Sequence, residues 1–419
     1  MKHATLGRIA RLITGASGVV VAASSPAPGQ TTNASLVLRG ATIYTAPDAP
    51  PIADGVVIIR DGKIAAVGRR SEIAAPAGMP VLELTGLVLV PGFWNSHVHF
   101  SGTQWAGADT AASARLAESV RAMLTRWGFT TVFDTGSELE NTLALKRRIE
   151  AGAVDGPKIF TTGDILFPVG APLPVGAPPV RFRVGSPNEA VAATTTLLDG
   201  GADAIKVYAQ AFWDLSLRLS PEVLAAVVAQ AHRRNVQVFA HPSNRDGLYN
   251  AVGAGVDVLV HTTPQIGPWG NELVAKMKAS NIALIPTLKL WRFEGVREKV
   301  PEPGIETFQR RGIAQLREYH SAGGAILFGT DVGYMTDFST LEEFQKMAEA
   351  GMGFRDILTS LTTTPAARRG LGASTGKVAV GFDGDLVVLA SDPARSVDAF
   401  ANVAYTVRGG RVIYRATRH

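Results

Sequence analysis

The pattern that recurs most regularly along the chain is a short apolar run closing on an ionisable residue. The run Leu89-Val90-Pro91-Gly92-Phe93-Trp94-Asn95-Ser96-His97-Val98-His99 closes on two histidines one residue apart. Its nearly continuous apolar character predicts a buried β-strand. Side chains alternate faces along a strand, so His97 and His99 would project to one side while Val98 points the other way, into packing. Residues 202–206, 236–241, 256–261 and 325–331 repeat the pattern and close on Lys206, His241, His261 and Asp331. All four are expected at strand C-terminal ends. Between them, residues 221–234 after the cap-like Ser220, 271–280 and 306–322 read as helices. A repeated strand, helix, strand order predicts a parallel sheet and an α/β class. In a (β/α)8 barrel the strand C-termini share the rim that carries the chemistry.

The flanks read differently. Residues 34–90 alternate short β-rich runs at 36–38, 56–59, 64–67 and 81–84 with turn signals such as Asp61-Gly62, as hairpins do. Residues 376–415 have the same texture. Neither flank has enough apolar residues to bury a core alone, so the two are expected to form one small discontinuous β-sandwich. A length of 419 residues suits one TIM-like barrel of about 250 residues plus such a domain. The expected organisation is a signal peptide and linker at 1–33, sandwich at 34–90, barrel at 91–365 and sandwich again at 366–419.

Composition adds limits. Lys2, Arg8 and Arg11 precede a modestly apolar stretch at 12–23, and Val21-Ala22-Ala23 has the small-residue spacing of a signal-peptidase site. A periplasmic or secreted protein is the expectation. Because Gly15, Ser17 and Gly18 interrupt the stretch, a disordered tail on a cytoplasmic protein is the alternative. The chain has no cysteine, which excludes disulfides and thiolate ligands. Its formal charge is +5. The first 23 residues hold three of the bases and no acid, leaving +2 without them, so the basic excess does not argue for nucleic acid or an anionic membrane as partner. No apolar run is long enough for a membrane-spanning helix. The expected partner is a small-molecule substrate, and a homo-oligomer stays open.

The ordered set Pro91-Gly92-x-x-x-x-His97-x-His99, Ile205-Lys206-Val207, His241, His261 and Gly329-Thr330-Asp331 resembles the amidohydrolase superfamily. The likeness is to the branch with two metals bridged by a carboxylated lysine, related to imidazolonepropionase-like and Xaa-Pro dipeptidase-like enzymes. Residues 376–389 resemble the C-terminal strands of the small β-domain in such proteins. The resemblance implies that His97, His99 and Asp331 hold one divalent metal, that His241 and His261 hold a second, and that Lys206, carrying CO2 as a carbamate, bridges them. Imidazole and carboxylate ligands suit zinc best, with manganese, cobalt or iron also fitting and calcium or magnesium not. It further implies attack on a carbonyl by a metal-bridging hydroxide, because such cations lower the pKa of water toward about 7. Asp331 would be the general acid/base. Tyr208, on the same strand face as Lys206, would either hydrogen-bond the developing oxyanion or pack the barrel. Mononuclear deaminases of this superfamily lack the lysine, so Lys206 points to hydrolysis of an amide, ester, lactone or phosphoester.

Each residue also has a plainer reading. Lys206 could form an ordinary buried ion pair, although a bare ammonium beside a cation is repelled. His241 and His261 could be hydrogen-bonded core histidines. Asp134 is expected to support the site rather than enter it. His3, His232, His320 and His419 are left out of the chemistry. Residues 164–185, with five prolines among apolar residues, are expected to form a lid over the rim. Phe100, Trp105, Phe212, Trp213, Trp269, Trp291 and Tyr334 would line a wide aromatic pocket or pack the loops. Arg181 or Arg183 would bind a substrate carboxylate, or form a solvated loop edge. The resulting expectation is a metal-dependent hydrolase of an amide bond in a small, largely apolar N-acyl-amino-acid-like or dipeptide-like compound. The alternatives are an esterase, lactonase or organophosphate hydrolase with the same metals and, more remotely, a non-catalytic scaffold, against which six retained ligand positions speak.

Overall fold

The computed structural model describes residues 34–172, 180–211, 214 and 216–417. The expected signal segment, His3, Pro174, Pro178, Pro179, Phe212, Trp213 and His419 lie outside the described residues.

The recurring apolar segments form parallel strands. β1 (Phe93–Val98), β2 (Phe129–Asp134) and β3 (Lys158–Thr161) pair in that order. β4 (Ile205–Tyr208), β5 (Val238–His241), β6 (Val258–Val260), β7 (Ala283–Ile285) and β8 (Ala325–Ile326) make a second parallel run. The two runs meet at both edges. Between β3 and β4 the Asp203 N–H donates to the Thr161 carbonyl at 2.7 Å, and beyond β8 the Ser96 N–H donates to the Phe328 carbonyl at 2.7 Å. Trp94, Phe133, Phe160, Ala204, Phe239, Val258, Ala283 and Leu327, one from each segment, belong to one buried cluster. This is a TIM-barrel-like α/β fold.

Helices cover the outer faces. In the helix Pro221–Arg233 the Ser220 hydroxyl accepts the Val223 N–H at 3.3 Å, and Pro221 opens the first turn, where no N–H is needed. Its buried Val223, Leu224, Val227, Val228 and Ala231 follow helical spacing. The helix expected at 306–322 runs Glu302–Ser321. It starts earlier because Pro303 sits in the first turn, where a proline is harmless. Among the described residues no helix is long and apolar enough to cross a membrane.

The chain's flanks share one eight-stranded mixed sheet. Val88–Pro91 lies between Leu36–Ile43 and Leu386–Leu389, pairing antiparallel with the latter from Leu386↔Pro91 to Leu389↔Val88. The Asp61-Gly62 hairpin forms as expected, with φ +48° and +78° between Ile52–Arg60 and Lys63–Arg69.

Three expectations need correction. Lys206 is the second residue of β4, not its end, because Asp203 is drawn to the Thr161 main chain and pairing with β5 starts only at Ile205↔Val238. Asp331 lies beyond β8 on an irregular continuation that hydrogen-bonds to β1. The described parts of 164–185 are not a free lid: Leu166–Pro168 and Phe182–Val184 pair in parallel and add to the sheet beside β4 at Val207↔Leu166.

One buried carboxylate ties the β7 end to an outer helix. Glu343, in Leu341–Glu349, is 1% exposed, and its two oxygens accept the N–H groups of Leu288 and Lys289 at 2.9 Å each. Burial pushes its carboxyl from 4.5 up to about 7. In this window the folded chain binds the proton that the unfolded chain has lost, so stability is fully present below about pH 4.5 and falls as pH rises through about 7. Thermal melts of wild type and Glu343→Gln across that range should show the wild type losing roughly 1–3 kcal/mol relative to the variant. Parallel curves would contradict this.

Candidate metal centre

The β-strand period delivers both first histidines to one place. His97 Nε2 and His99 Nε2 are 3.1 Å apart, and Asp331 Oδ1 lies 3.2 Å from the former and 3.0 Å from the latter. Asp331 Oδ2 is 3.9 Å from His261 Nε2. The His261 ring lies 4.9 Å from that of His97 and 4.6 Å from that of His241. Ligand atoms of His97, His261 and Asp331 all fall within 4.8 Å of one another, and all three residues are buried.

Tautomers can be assigned from partners. The His99 Nδ1 is 2.8 Å from the Gly136 carbonyl. A carbonyl only accepts, so Nδ1 carries the proton and Nε2 presents a lone pair. That carbonyl is fixed by Asp134, whose carboxylate accepts from the hydroxyls of Ser137 at 2.6 Å and Thr161 at 2.7 Å and from the Gly136 N–H at 3.4 Å. Asp134 therefore supports the site, as expected. Its carboxyl is raised by burial. His97 Nδ1 and Asp331 Oδ1 are buried without a hydrogen-bond partner among the described residues. Lone pairs of nitrogen and oxygen crowded in a dry place are the donor set a divalent cation fits.

The electrostatics agree. Burial pushes His97 down to about 3 and holds His241 and His261 well below the usual imidazole range, so these rings are neutral. Burial alone would raise Asp331, but His97, His99 and His261 hold it well below the usual carboxylate range. Lys206 is 1% exposed and forms no salt bridge among the described residues. Burial brings its amine down to about 7, against the opposing charges of Asp331 and Asp134.

Tyr208 stacks on His241 at 4.1 Å and on Phe167 at 4.5 Å. Burial, then Asp331, raises its hydroxyl pKa, so it stays protonated. Other readings change. Arg183 donates to the Pro168 and Ala171 carbonyls, and Arg181 pairs with Glu140 at the surface. Phe100 and Trp105 pack on each other at 4.9 Å. Trp269 and Trp291 donate to Thr263 and Thr262 and brace the loop after His261, and the Trp291 ring lies 6.4 Å from that of His261. The sequence reading missed a cluster at the rim. The Tyr334 hydroxyl donates to Glu294 Oε1 at 2.7 Å, and Arg297 pairs with Glu294 at 2.6 Å. Glu294 and Arg297 sit three apart on the helix Leu290–Arg297, a spacing that marks a helix-face pair without saying what it faces.

A parallel barrel-like sheet that gathers imidazoles, a carboxylate and a buried lysine on and just beyond its strands, in a chain that matches the amidohydrolase family, is that of a metal-dependent hydrolase acting on carbon–nitrogen bonds. The chain belongs to the amidohydrolase family, which it matches over residues 88–413. It is similar to imidazolonepropionase of Porphyromonas gingivalis, 26% identical over 387 residues that span 85% of this chain and 89% of that protein. It is also similar to ochratoxinase of Aspergillus niger, 25% identical over 416 residues spanning 87% and 84%. A solved structure described as that of a putative prolidase from Bifidobacterium longum superposes with a TM-score of 0.79 at 26% identity, over 92% of this chain and 95% of that one.

The loop bearing Asp331 closes on the β1 end through a glycine. Gly333 has φ +98°, and a Cβ there would stand 1.9 Å from the His99 carbonyl oxygen. Gly333→Ala should therefore destabilise the protein by about 2 kcal/mol or more and lower its metal content. Calorimetry and elemental analysis check both; a melting point and metal content like wild type would sink the close-approach argument.

Proposed function

We propose that the chain is a binuclear metal-dependent amidohydrolase that cleaves an amide bond in a small, largely apolar N-acyl-amino-acid-like or dipeptide-like compound. The observation that carries this reading is the convergence of His97, His99, His261 and Asp331 beside a buried lysine whose amine lies near 7. His97, His99 and Asp331 would hold one cation and His241 and His261 another, zinc suiting the donors best. Lys206 would join them as a carbamate. At neutral pH a good part of its amine is unprotonated, so nitrogen can attack the carbon of CO2, release a proton and become an anionic oxygen ligand. Bound divalent cations would supply Lewis acidity and a low-pKa water.

The chain's own groups would do the rest. Asp331, held ionised, would accept a proton from water and deliver it to the departing amine nitrogen. Tyr208, held protonated, would donate to the oxygen that gains negative charge. The similarity to a prolidase supports a dipeptide-like substrate. A closed eightfold barrel with a β-sandwich from both flanks, divided near residues 90 and 365, belongs to the same proposal. The interior cluster drawn from eight segments and the sheet shared by both flanks support it. Export rests on the first 23 residues alone.

Elemental mass spectrometry on protein purified with bicarbonate should find close to two metals per chain, falling to one or none in Lys206→Ala. One metal in both would move the chain toward mononuclear chemistry. Asp331→Asn should lower kcat at least 100-fold on amide substrates while some metal stays bound; an unchanged rate would exclude the proton-transfer role.

A further inference from the structure

The turn that follows β7 is held in an unfavourable shape. Thr287 is fully buried and has φ +45°, a left-handed conformation that is a steric outlier for a β-branched residue. Glycine or asparagine would fit this backbone more easily. Its hydroxyl oxygen is in hydrogen-bond contact with His261 Nδ1. The two residues after it are clamped, since Leu288 and Lys289 donate their N–H groups to the buried carboxylate of Glu343. The Lys289 ammonium is bound in turn by the carbonyls of Asp337 and Ser339 at 3.1 and 2.8 Å. On the other side, the His261 N–H donates to the Ile285 carbonyl at 2.8 Å, so the ladder between β6 and β7 runs directly into the turn. His261 itself has φ +74°.

We propose that Thr287 is a positioning residue for the second metal: its hydroxyl oxygen accepts the His261 Nδ1 proton, leaving the Nε2 lone pair aimed at the cation, and Glu343 clamps the strained turn that puts the hydroxyl there. The inference rests on the metal-centre reading above and names a residue outside its ligand set. An imidazole held by its far nitrogen has one tautomer and one ring orientation, which raises its affinity as a ligand. A strained conformation persists where the surroundings over-determine it, and here a backbone ladder and a buried carboxylate do so from two sides.

The test compares Thr287→Ser, which keeps the hydroxyl, with Thr287→Val, which keeps the shape, and Thr287→Gly, which removes both hydroxyl and φ penalty and so guards against misfolding. Zinc affinity is measured on the full chain by chelator competition in bicarbonate buffer, with the visible spectrum of the cobalt-loaded protein as a second readout. Thr287→Ser should match wild type. Thr287→Val and Thr287→Gly should bind the weaker zinc about 10–100-fold less tightly and shift the cobalt bands, with Thr287→Gly melting no lower than Thr287→Val when metal-free. Wild-type affinity and spectrum in Thr287→Val and Thr287→Gly would overturn the inference, as would a loss in Thr287→Ser equal to theirs. A wild-type chain that binds no metal would instead overturn the metal-centre reading itself, and this inference with it.

Discussion

Lone-pair crowding governs this structure. His97 Nε2, His99 Nε2 and Asp331 Oδ1 stand within 3.0–3.2 Å of one another in a buried place, an arrangement that repels unless a proton or a cation is shared among them. The surroundings hold it against that repulsion. Left-handed backbone at His261, Thr287 and Asp331 costs on the order of 1–3 kcal/mol at each residue. Unpartnered His97 Nδ1 and Asp331 Oδ1 add about 1–3 kcal/mol each. The large buried core keeps this arrangement from relaxing.

The charge layout follows from the same constraint. Beside these groups burial brings the Lys206 amine down to about 7, so that a good part of it is unprotonated at neutral pH, while Asp331 and Asp134 oppose the shift. Arginine could not serve, since its guanidinium stays charged at any accessible pH. Toward the rim the rule reverses: Glu294 and Arg297 pair with each other and with Tyr334, and Lys289 pairs with Asp337. Inside, uncompensated imidazoles and an amine surround a single carboxylate, Asp331; toward the rim the charges are paired.

Much of this was readable in the sequence because periodicity and turn chemistry are local. The His-x-His pair on one strand face, the Asp61-Gly62 hairpin and the Ser220 cap follow from short-range rules and appear where expected. What was hidden is long-range. The sign of φ at His261 or Thr287 depends on which strand the next turn must reach. Arg181 and Arg183 looked available because a sequence does not say that a carboxylate or a bare carbonyl already faces them. Trp269 and Trp291 looked like pocket lining because indole is amphipathic, and a sequence does not show that their N–H groups also brace hydroxyls of the loop after β6. Lys206 was legible in identity but not in depth, since strand pairing, not the apolar run, decides where β4 starts.

Gly92 is all that separates the strand Val88–Pro91 from β1. Its N–H donates to the Asp385 carbonyl at 2.8 Å, beside the ladder from Leu386 to Leu389. The segment leading to His97 is therefore braced by residues almost 300 positions later in the chain. Contacts of such separation form more slowly than local ones, and during synthesis they do not exist until residues 385–389 have emerged from the ribosome. Until they form, the strand Val88–Pro91 lacks its Leu386–Leu389 neighbour, so the brace behind the histidine strand is a long-range one, and the geometry at His97 depends on residues that no local rule connects to it.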